Sequence, residues 1–326
     1  MRLLVTGGAG FIGSHYVRTL LNDGYPGYEG VKVTVVDNLG HGGNLANLPA
    51  PGPRLTFVRG DICDPDLLLE VLPGHDAVVH FAAESHVDRS IRSSGVFVRT
   101  NVCGTQNVLE ACRQTRIERV LHVSTDEVYG SVERGACTEQ WPLLPNSPYA
   151  ASKAASDLIA RSYWQTHSLD LSITRCSNNY GPYQHVEKLV PLFITNLLQG
   201  MPVPLYGDGR NIREWLHVDD HCRAIHLVLT GGTAGEIYNV GGGNAHTNLE
   251  VTRRLLDLAG ADDSLIRRVP DRLGHDLRYA LDESKIRDEL GYAPQVPFDR
   301  GLEETFAWYR DNPDWWKPAR DDGARS

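Results

Sequence analysis

Residues 3–13 read Leu3-Leu4-Val5-Thr6-Gly7-Gly8-Ala9-Gly10-Phe11-Ile12-Gly13, a short apolar run that passes into glycines spaced GxxGxxG and then into a helical pattern. An apolar run of this length, bounded by glycine, reads as a buried strand. Without side chains at Gly7, Gly10 and Gly13 the backbone can turn sharply and approach a pyrophosphate. The following helix would meet it with free N–H groups and the positive end of its dipole. A glycine-rich turn with no ligand is the plainer reading of the motif alone; its setting between strand and helix speaks for the ligand.

Outward from this stretch, the second candidate strand, Lys32–Val36, ends in Val36-Asp37. A carboxylate there can accept hydrogen bonds from adenosine ribose hydroxyls, and its charge repels the 2′-phosphate of NADP, so NAD is the expected cofactor. Candidate strands Leu55–Arg59 and Ala77–Phe81 are closed by Asp61-Ile62 and Phe81-Ala82-Ala83 on the same sheet edge, and Val120–Ser124 and Leu171–Arg175 follow. Most carry apolar residues at consecutive positions, as strands buried on both faces do. Helical periods lie between them at Phe11–Leu21, Leu67–Leu72, Val96–Cys112 and Tyr149–Gln165.

This rhythm predicts an α/β fold, a doubly wound parallel sheet (Rossmann-like) with a smaller substrate-binding region in the C-terminal half. The cofactor part spans residues 1–177, and 215–240 returns to it through a helix at Asp219–Leu229 and a strand at Ile237–Val240. Residues 178–214 and 241–316, denser in proline and glycine and with helices expected at Asn248–Leu258 and Gly301–Arg310, form the substrate region. Residues 317–326 read as a frayed tail.

The 326 residues suffice for one large domain or two joined ones, and the net charge of −9 argues against binding duplex nucleic acid. Cys63, Cys103, Cys112, Cys137, Cys176 and Cys222 are scattered without a CxxC pair. No signal peptide precedes the first strand and no apolar stretch reaches the ~20 residues of a membrane span, so a cytoplasmic protein is expected. His217-Val218-Asp219-Asp220-His221-Cys222 sets histidines at helical spacing, but no glutamate follows the first and no third ligand is near. No metal is expected, and Asp219 reads as the cap of the next helix. Trp308, Tyr309, Trp315 and Trp316 read as packing.

Two motifs carry chemistry. Tyr149-Ala150-Ala151-Ser152-Lys153 opens a helix after Asn146-Ser147-Pro148, which puts Tyr149 and Lys153 on one face. A nearby ammonium stabilises a phenolate, so the Tyr149 pKa is expected to fall below its ordinary ~10, as suits a base acting on an alcohol. Ser124-Thr125-Asp126-Glu127-Val128-Tyr129-Gly130 places two adjacent carboxyls at a strand end. They can serve as acid and base if their surroundings separate their pKa values.

GxxGxxG, Asp37, Ser124-Thr125 and YxxxK together resemble the extended short-chain dehydrogenase/reductase family over nearly the whole chain. That resemblance implies Thr125, Tyr149 and Lys153 as a catalytic set and an NAD regenerated in each turnover. It also implies a cofactor held by Gly7, Gly10, Phe11, Ile12, Gly13, Asp37, Asn38, Asp61, Ile62, Phe81, Ala82, Ala83, Thr100, Tyr149, Lys153 and Asn179. Within the family, Asp126-Glu127, the segment Phe81–Ser90, Asn178–Tyr183, Glu187-Lys188-Leu189, Arg213-Glu214-Trp215 and Asp271–Tyr279 are similar to the dTDP-glucose 4,6-dehydratases.

This closer likeness implies a lyase that makes a 4-keto-6-deoxy sugar from a dTDP-hexose. The sugar nucleotide would be held by Ser85, Thr125, Asn178, Glu187, Lys188, Leu189, Pro204, Tyr206, Arg213, Asn248, Arg272, His275 and Tyr279. Arginine suits the task because its fork of donors matches paired phosphate oxygens. The likeness further implies Asp126 and Glu127 as catalytic acid and base, and a homodimer packed through the helix carrying Tyr149. No nucleic-acid polymer or membrane partner is expected. Gly40 and His41 stand where these enzymes usually have threonine and tyrosine, and Ala245 where they usually have glutamate. Two rivals remain open: a nucleotide-sugar 4-epimerase, whose relatives carry small uncharged residues in place of Asp126 and Glu127, and a non-catalytic NAD- or nucleotide-binding regulator.

Overall fold

The structure, a computed structural model, describes residues 1–323. The first 176 residues hold β1 (Arg2–Thr6), β2 (Lys32–Asp37), β3 (Leu55–Arg59), β4 (Ala77–His80), β5 (Arg119–Thr125) and β6 (Leu171–Cys176). Later come β7 (Asn178–Tyr180), β8 (Val203–Tyr206), β9 (Ile212–His217), β10 (Ile237–Val240), β11 (Ala245–Thr247) and β12 (Ile266–Val269). The helices are α1 (Phe11–Leu21), α2 (Pro65–Val71), α3 (Val87–Arg92), α4 (Gly95–Phe97), α5 (Thr105–Thr115) and α6 (Pro148–His167). They continue with α7 (Leu189–Leu197), α8 (Val218–Gly231), α9 (Asn248–Ala259), α10 (Ser284–Leu290), α11 (Phe298–Asp311) and α12 (Pro313–Gly323).

Seven strands form one sheet in the order β10-β6-β5-β4-β1-β2-β3, and each neighbouring pair is parallel. Leu3, Leu4 and Val5 are fully buried, as consecutive apolar residues require when helices cover both faces. Side chains alternate across a strand, so Leu3 and Val5 join one core with Tyr16 and Val17 of α1 and Ile225 and Val228 of α8. Leu4 joins the opposite core with Leu68, Val108, Leu109 and Ala160 from α2, α5 and α6.

The C-terminal half adds a three-stranded sheet, β11-β9-β7, and a parallel pair, β8 with β12. Trp215, Leu216 and His217 pair with Asn178, Asn179 and Tyr180 of β7, so the chain rejoins the large sheet from Val218 onward, through α8 and β10. A third core unites α7, α9 and α11 through Phe193, Leu255, Leu302 and Tyr309.

Two expectations are corrected. The cap of α8 is His217, whose ring nitrogen accepts from the Asp219 N–H at 3.3 Å; Asp219 lies inside the first turn and turns to His15 Nε2 at 3.0 Å. The tail expected at 317–326 is helical through Gly323. Trp316 donates to the Tyr309 carbonyl, and Arg320 donates to Asn196 Oδ1 at 2.7 Å, which docks this segment on the third core. Residues 324–326 lie outside the described part.

Helix α6 begins as its sequence dictates. Pro148 occupies the first turn and the Ser147 hydroxyl accepts from the Ala150 N–H at 3.1 Å. It is fixed to the sheet by a buried ion pair: Arg175 Nε of β6 lies 2.9 Å from Asp157 Oδ2. Arg175 also donates to the Tyr129 hydroxyl at 2.9 Å, and that hydroxyl donates to Asn239 Oδ1 of β10 at 2.8 Å.

Burial pushes the Asp157 carboxyl up, but Arg175, His122 and Lys153 outweigh it and hold the group at about 2. A folded value below the ordinary 3.8 means the pair stabilises fully above pH ~4 and loses its contribution as pH falls towards 2. Asp157→Asn leaves Arg175 buried without a counter-charge, and a loss of about 3–5 kcal/mol in urea unfolding is expected. An unchanged midpoint, with an unchanged acid limb of stability, would remove the pair from this role.

Candidate functional site

One cleft runs along the carboxyl ends of β1, β2, β4, β5 and β6. At its first end Gly7 has φ +69°, and a Cβ there would sit 2.6 Å from the Ala82 nitrogen; a Cβ on Gly13 would strike the Gly7 carbonyl. Gly10 caps α1 without a side chain, and the first turn of α1 holds no acidic residue. The result is a bare helix N-terminus beside a surface that only glycine leaves open. These residues therefore fit the pyrophosphate of the expected dinucleotide.

Asp37 is buried at the end of β2, with Oδ2 accepting from Ala9 N–H at 2.9 Å and Oδ1 from Leu39 N–H at 2.8 Å. Each carboxylate oxygen keeps a lone pair for a ribose hydroxyl. Asn38 donates to Asp61 Oδ2 at 3.3 Å, which links two expected cofactor residues. Phe11, Ile12, Ile62, Phe81, Ala82, Ala83, Thr100 and Asn179 all line the cleft. Ser85, Thr125, Asn178 and Lys188 from the expected substrate set line it too.

At the far end, β5 stops at Thr125 and the chain makes one 3-10 turn, Asp126–Tyr129. The Thr125 hydroxyl caps this turn, accepting from Glu127 N–H at 3.3 Å and contacting Asp126 Oδ1 at 3.2 Å. Asp126 is 3% exposed and its Oδ2 has no hydrogen-bond partner. Burial first, then the Glu127 and Glu214 charges, hold the Asp126 carboxyl well above the usual carboxylate range. Glu127 is raised by burial as well, but Arg272, Lys188 and Arg213 pull it back. The neighbours therefore differ: Asp126 tends to keep its proton, and Glu127 sits in a field that favours its anion.

Tyr149 and Lys153 face this pair from α6. Lys153 Nζ donates to the Val123 carbonyl at 2.8 Å, and burial lowers its pKa to about 8. The expected acidification of Tyr149 is not found in this arrangement. Burial, then the Glu127 charge, raises the phenol well above its ordinary value, and only the Thr125 hydroxyl works the other way. The reason is geometric, because the ammonium is spent on a backbone carbonyl and not on the phenol.

A second set of expected residues gathers beyond Glu127. Arg213 Nη2 donates to the Asp276 carbonyl at 2.8 Å and its guanidinium lies 4.3 Å over the Tyr279 ring. Tyr279 donates to Asp276 Oδ2 at 2.7 Å, His275 pairs with Asp271 at 2.6 Å, and Tyr206 reaches Asp88 Oδ2 at 3.2 Å. Arg272 Nε is buried with no hydrogen-bond partner.

Asn248, whose support Ala245 puts in question, is buried at the start of α9; its N–H donates to the Asn211 carbonyl at 2.9 Å, and a Thr247–Glu250 capping box holds the turn. Glu187 turns to His41 at 2.7 Å, while Leu189 and Pro204 sit in α7 and β8 outside the cleft lining. The sequence reading did not single out Glu84, although it lies within the Phe81–Ser90 segment, and it missed Ser177, Gln184 and His185, which line the cleft from loops with no motif. It also missed Glu214 as a neighbour of Asp126, although Arg213-Glu214-Trp215 was within reach.

The profile of the family described as GDP-mannose 4,6 dehydratase matches residues 4–305. The dTDP-glucose 4,6-dehydratase of Streptomyces niveus is 58% identical over 323 residues, 98% of this chain and 96% of that protein. The dTDP-glucose 4,6-dehydratase from Streptomyces venezuelae, solved with NAD and dTDP bound, superimposes with a TM-score of 0.97 at 62% identity, covering 98% of this chain and 100% of that one. The NAD complex of UDP-glucose 4-epimerase from Thermus thermophilus shares the fold with a TM-score of 0.87 at 36% identity, covering 96% and 100% of the two chains. With a glycine-lined dinucleotide cleft, a YxxxK helix and a buried acid pair meeting at one sheet edge, and likeness to these proteins along nearly its full length, the chain belongs to the dTDP-glucose 4,6-dehydratase family of extended short-chain dehydrogenase/reductases.

Proposed function

We propose that this chain converts dTDP-glucose to dTDP-4-keto-6-deoxyglucose and water. The observation that carries the reading is the adjacent pair of buried Asp126 and half-buried Glu127, held in unlike electrostatic surroundings in the same cleft as Tyr149. NAD, when bound, supplies a hydride acceptor and donor and a cationic ring beside the sugar. The glycine turn, Asp37 and the carboxyl ends of β3 and β4 would hold it.

Tyr149 would take the proton of the hydroxyl on carbon 4 once its phenol, raised by burial, is ionised beside the cationic ring of bound NAD, and Thr125 orients the phenol. The ketone acidifies carbon 5, and Glu127, with three cations around it, removes the proton there. Asp126, still protonated, gives its proton to the hydroxyl leaving carbon 6, so water departs and carbon 6 is reduced. Carbon 6 receives the hydride lost from carbon 4, carbon 5 takes its proton back from Glu127, and the proton gained by Tyr149 makes up the one given by Asp126, so oxidation and reduction cancel and one water is lost. Arg213 and Arg272 are assigned to the diphosphate, with Asn248, His275 and Tyr279 around the nucleoside. A 4-epimerase has no step that needs two carboxyls.

Six unpaired cysteines suit the reducing cytoplasm, where we place the chain; among the described residues no helix is long and apolar enough to cross a membrane. We assign it a homodimer through α6, on which Leu158 is 57% exposed, with Val98 nearby in sequence to α5 at 51%. Cell fractionation tests the compartment. Sedimentation of wild type and Leu158→Glu tests the dimer: the wild type is expected at twice the chain mass and the variant closer to one, and a monomeric wild type overturns it.

Asp126→Asn combined with Glu127→Gln is expected to oxidise bound dTDP-glucose, seen as reduced nicotinamide absorbance, while water loss falls by at least ~10⁴, since each acid or base contributes ~10²–10⁴. Wild-type yield of the 4-keto-6-deoxy product from that variant would refute the assignment, and formation of the galactose isomer by wild type would point to an epimerase. Asp126 must be protonated to act, so turnover is expected to fall as pH rises through its elevated pKa. Glu214→Gln removes a charge that raises that pKa, and the basic limb of kcat should move to lower pH. A limb that stays put or rises would separate Glu214 from Asp126.

A further inference from the structure

At the rim of the cofactor cleft three loops bring together side chains that no step above uses for proton transfer. His41 comes from the loop after β2, His86 from the turn before α3, and His185 and Glu187 from the segment before α7. His41 Nε2 lies 2.7 Å from Glu187 Oε2, and His86 Nε2 lies 3.3 Å from the same oxygen. The His41 and His185 rings are 4.7 Å apart between centroids. One ligand atom from each of His41, His185 and Glu187 falls within 4.8 Å of the others. A single carboxylate oxygen thus faces two imidazole nitrogens, which either two N–H donors or one shared cation would satisfy.

The donor chemistry favours the cation. Imidazole nitrogens with a carboxylate are a ligand set for borderline ions such as zinc. His86 Nδ1 is buried without a hydrogen-bond partner. The His41 and Glu187 side chains are 29% and 27% exposed, open enough for an ion to enter yet partly screened from water.

Two cationic neighbours oppose a further cation: Lys188, tied to the Ser85 carbonyl at 2.7 Å, and Arg89, which pairs with Glu84 at 3.4 Å. Sequence patterns cannot reveal such a group, because its members are separated by 45, 99 and 2 positions along the chain (41 to 86, 86 to 185, 185 to 187).

We propose that His41, His185 and Glu187 bind a zinc-class divalent cation that clips the loop after β2 to the segment before α7 across the rim of the cofactor cleft, with His86 beside the Glu187 carboxylate. The inference rests on the geometry of this rim and not on the proposed reaction.

The full-length protein, freed of metal by dialysis against a chelator, is titrated with Zn²⁺ against a chromophoric indicator and with Co²⁺ while its visible spectrum is recorded. One ion per chain and an intense tetrahedral Co²⁺ band are expected. His41→Tyr and His185→Gln should each weaken Zn²⁺ binding by at least about tenfold, since even outer-shell changes cost that much. His167→Gln, at the exposed end of α6, should leave it unchanged, with circular dichroism showing that all variants fold. Failure of the wild type to take up one ion, or variants that bind as tightly as wild type, overturns the proposal. Neither readout involves turnover, so an error in the substrate assignment would leave this result standing.

Discussion

The buried contact between Asp157 and Arg175 is the constraint on which the working geometry rests. Tyr149, Lys153 and Asp157 are spaced four residues apart, so they share one face of α6. Fixing Asp157 to β6 therefore fixes the height and rotation of the two residues above it. The same guanidinium holds the hydroxyl of Tyr129, the last residue of the turn that starts at Asp126. One side chain thus sets the helix with the phenol and the turn with the acid pair in a common frame. Desolvating two charges costs several kcal/mol each, and only close geometry with further hydrogen bonds offsets it. Here Tyr129 and Asn239 extend the hydrogen bonds of Arg175, and His122 Nε2 lies 3.4 Å from Asp157 Oδ1, which has no hydrogen-bond partner.

Within this frame, adjacent carboxyls acquire different chemistry from different neighbours. Asp126 turns inward, with an unpartnered oxygen and Glu214 nearby, and its charged form is disfavoured. Glu127 faces Arg272, Lys188 and Arg213, residues drawn from three separate segments. A conformationally simple device, one 3-10 turn after a strand, thereby gives two consecutive carboxyls unlike electrostatic surroundings. The fold alone would not say so, because an epimerase shares it with a TM-score of 0.87.

The large sheet was legible because its strands are continuous apolar runs, and every candidate strand from Leu3 to Arg175 falls in an observed one. The second half hid its elements for identifiable reasons. Helix α7 carries Pro191 in its first turn, where the missing N–H would have had no helical partner, yet proline in an apolar run reads as a break. Strand β8 carries Pro204 in a two-stranded sheet, where a missing ladder donor is tolerated. Strands β7 and β11 span three residues each, too short for any period to show.

The sequence by itself determined the order of strands and helices in the large sheet, the glycine turn, the Asp37 terminus and the presence of a YxxxK helix and an acid pair. These are local matters, set by backbone freedom, by periodicity and by the few residue types that move protons. Only the tertiary structure decided how those side chains are charged. It raised Tyr149 where the YxxxK spacing predicted a fall, because burial and the Glu127 charge disfavour the phenolate while Lys153 donates to a carbonyl of β5. It moved the α8 cap from Asp219 to His217, and it gathered His41, His185 and Glu187 at one rim. Burial and the company of distant charges fix a group's protonation, and neither is written in the spacing of residues along a chain.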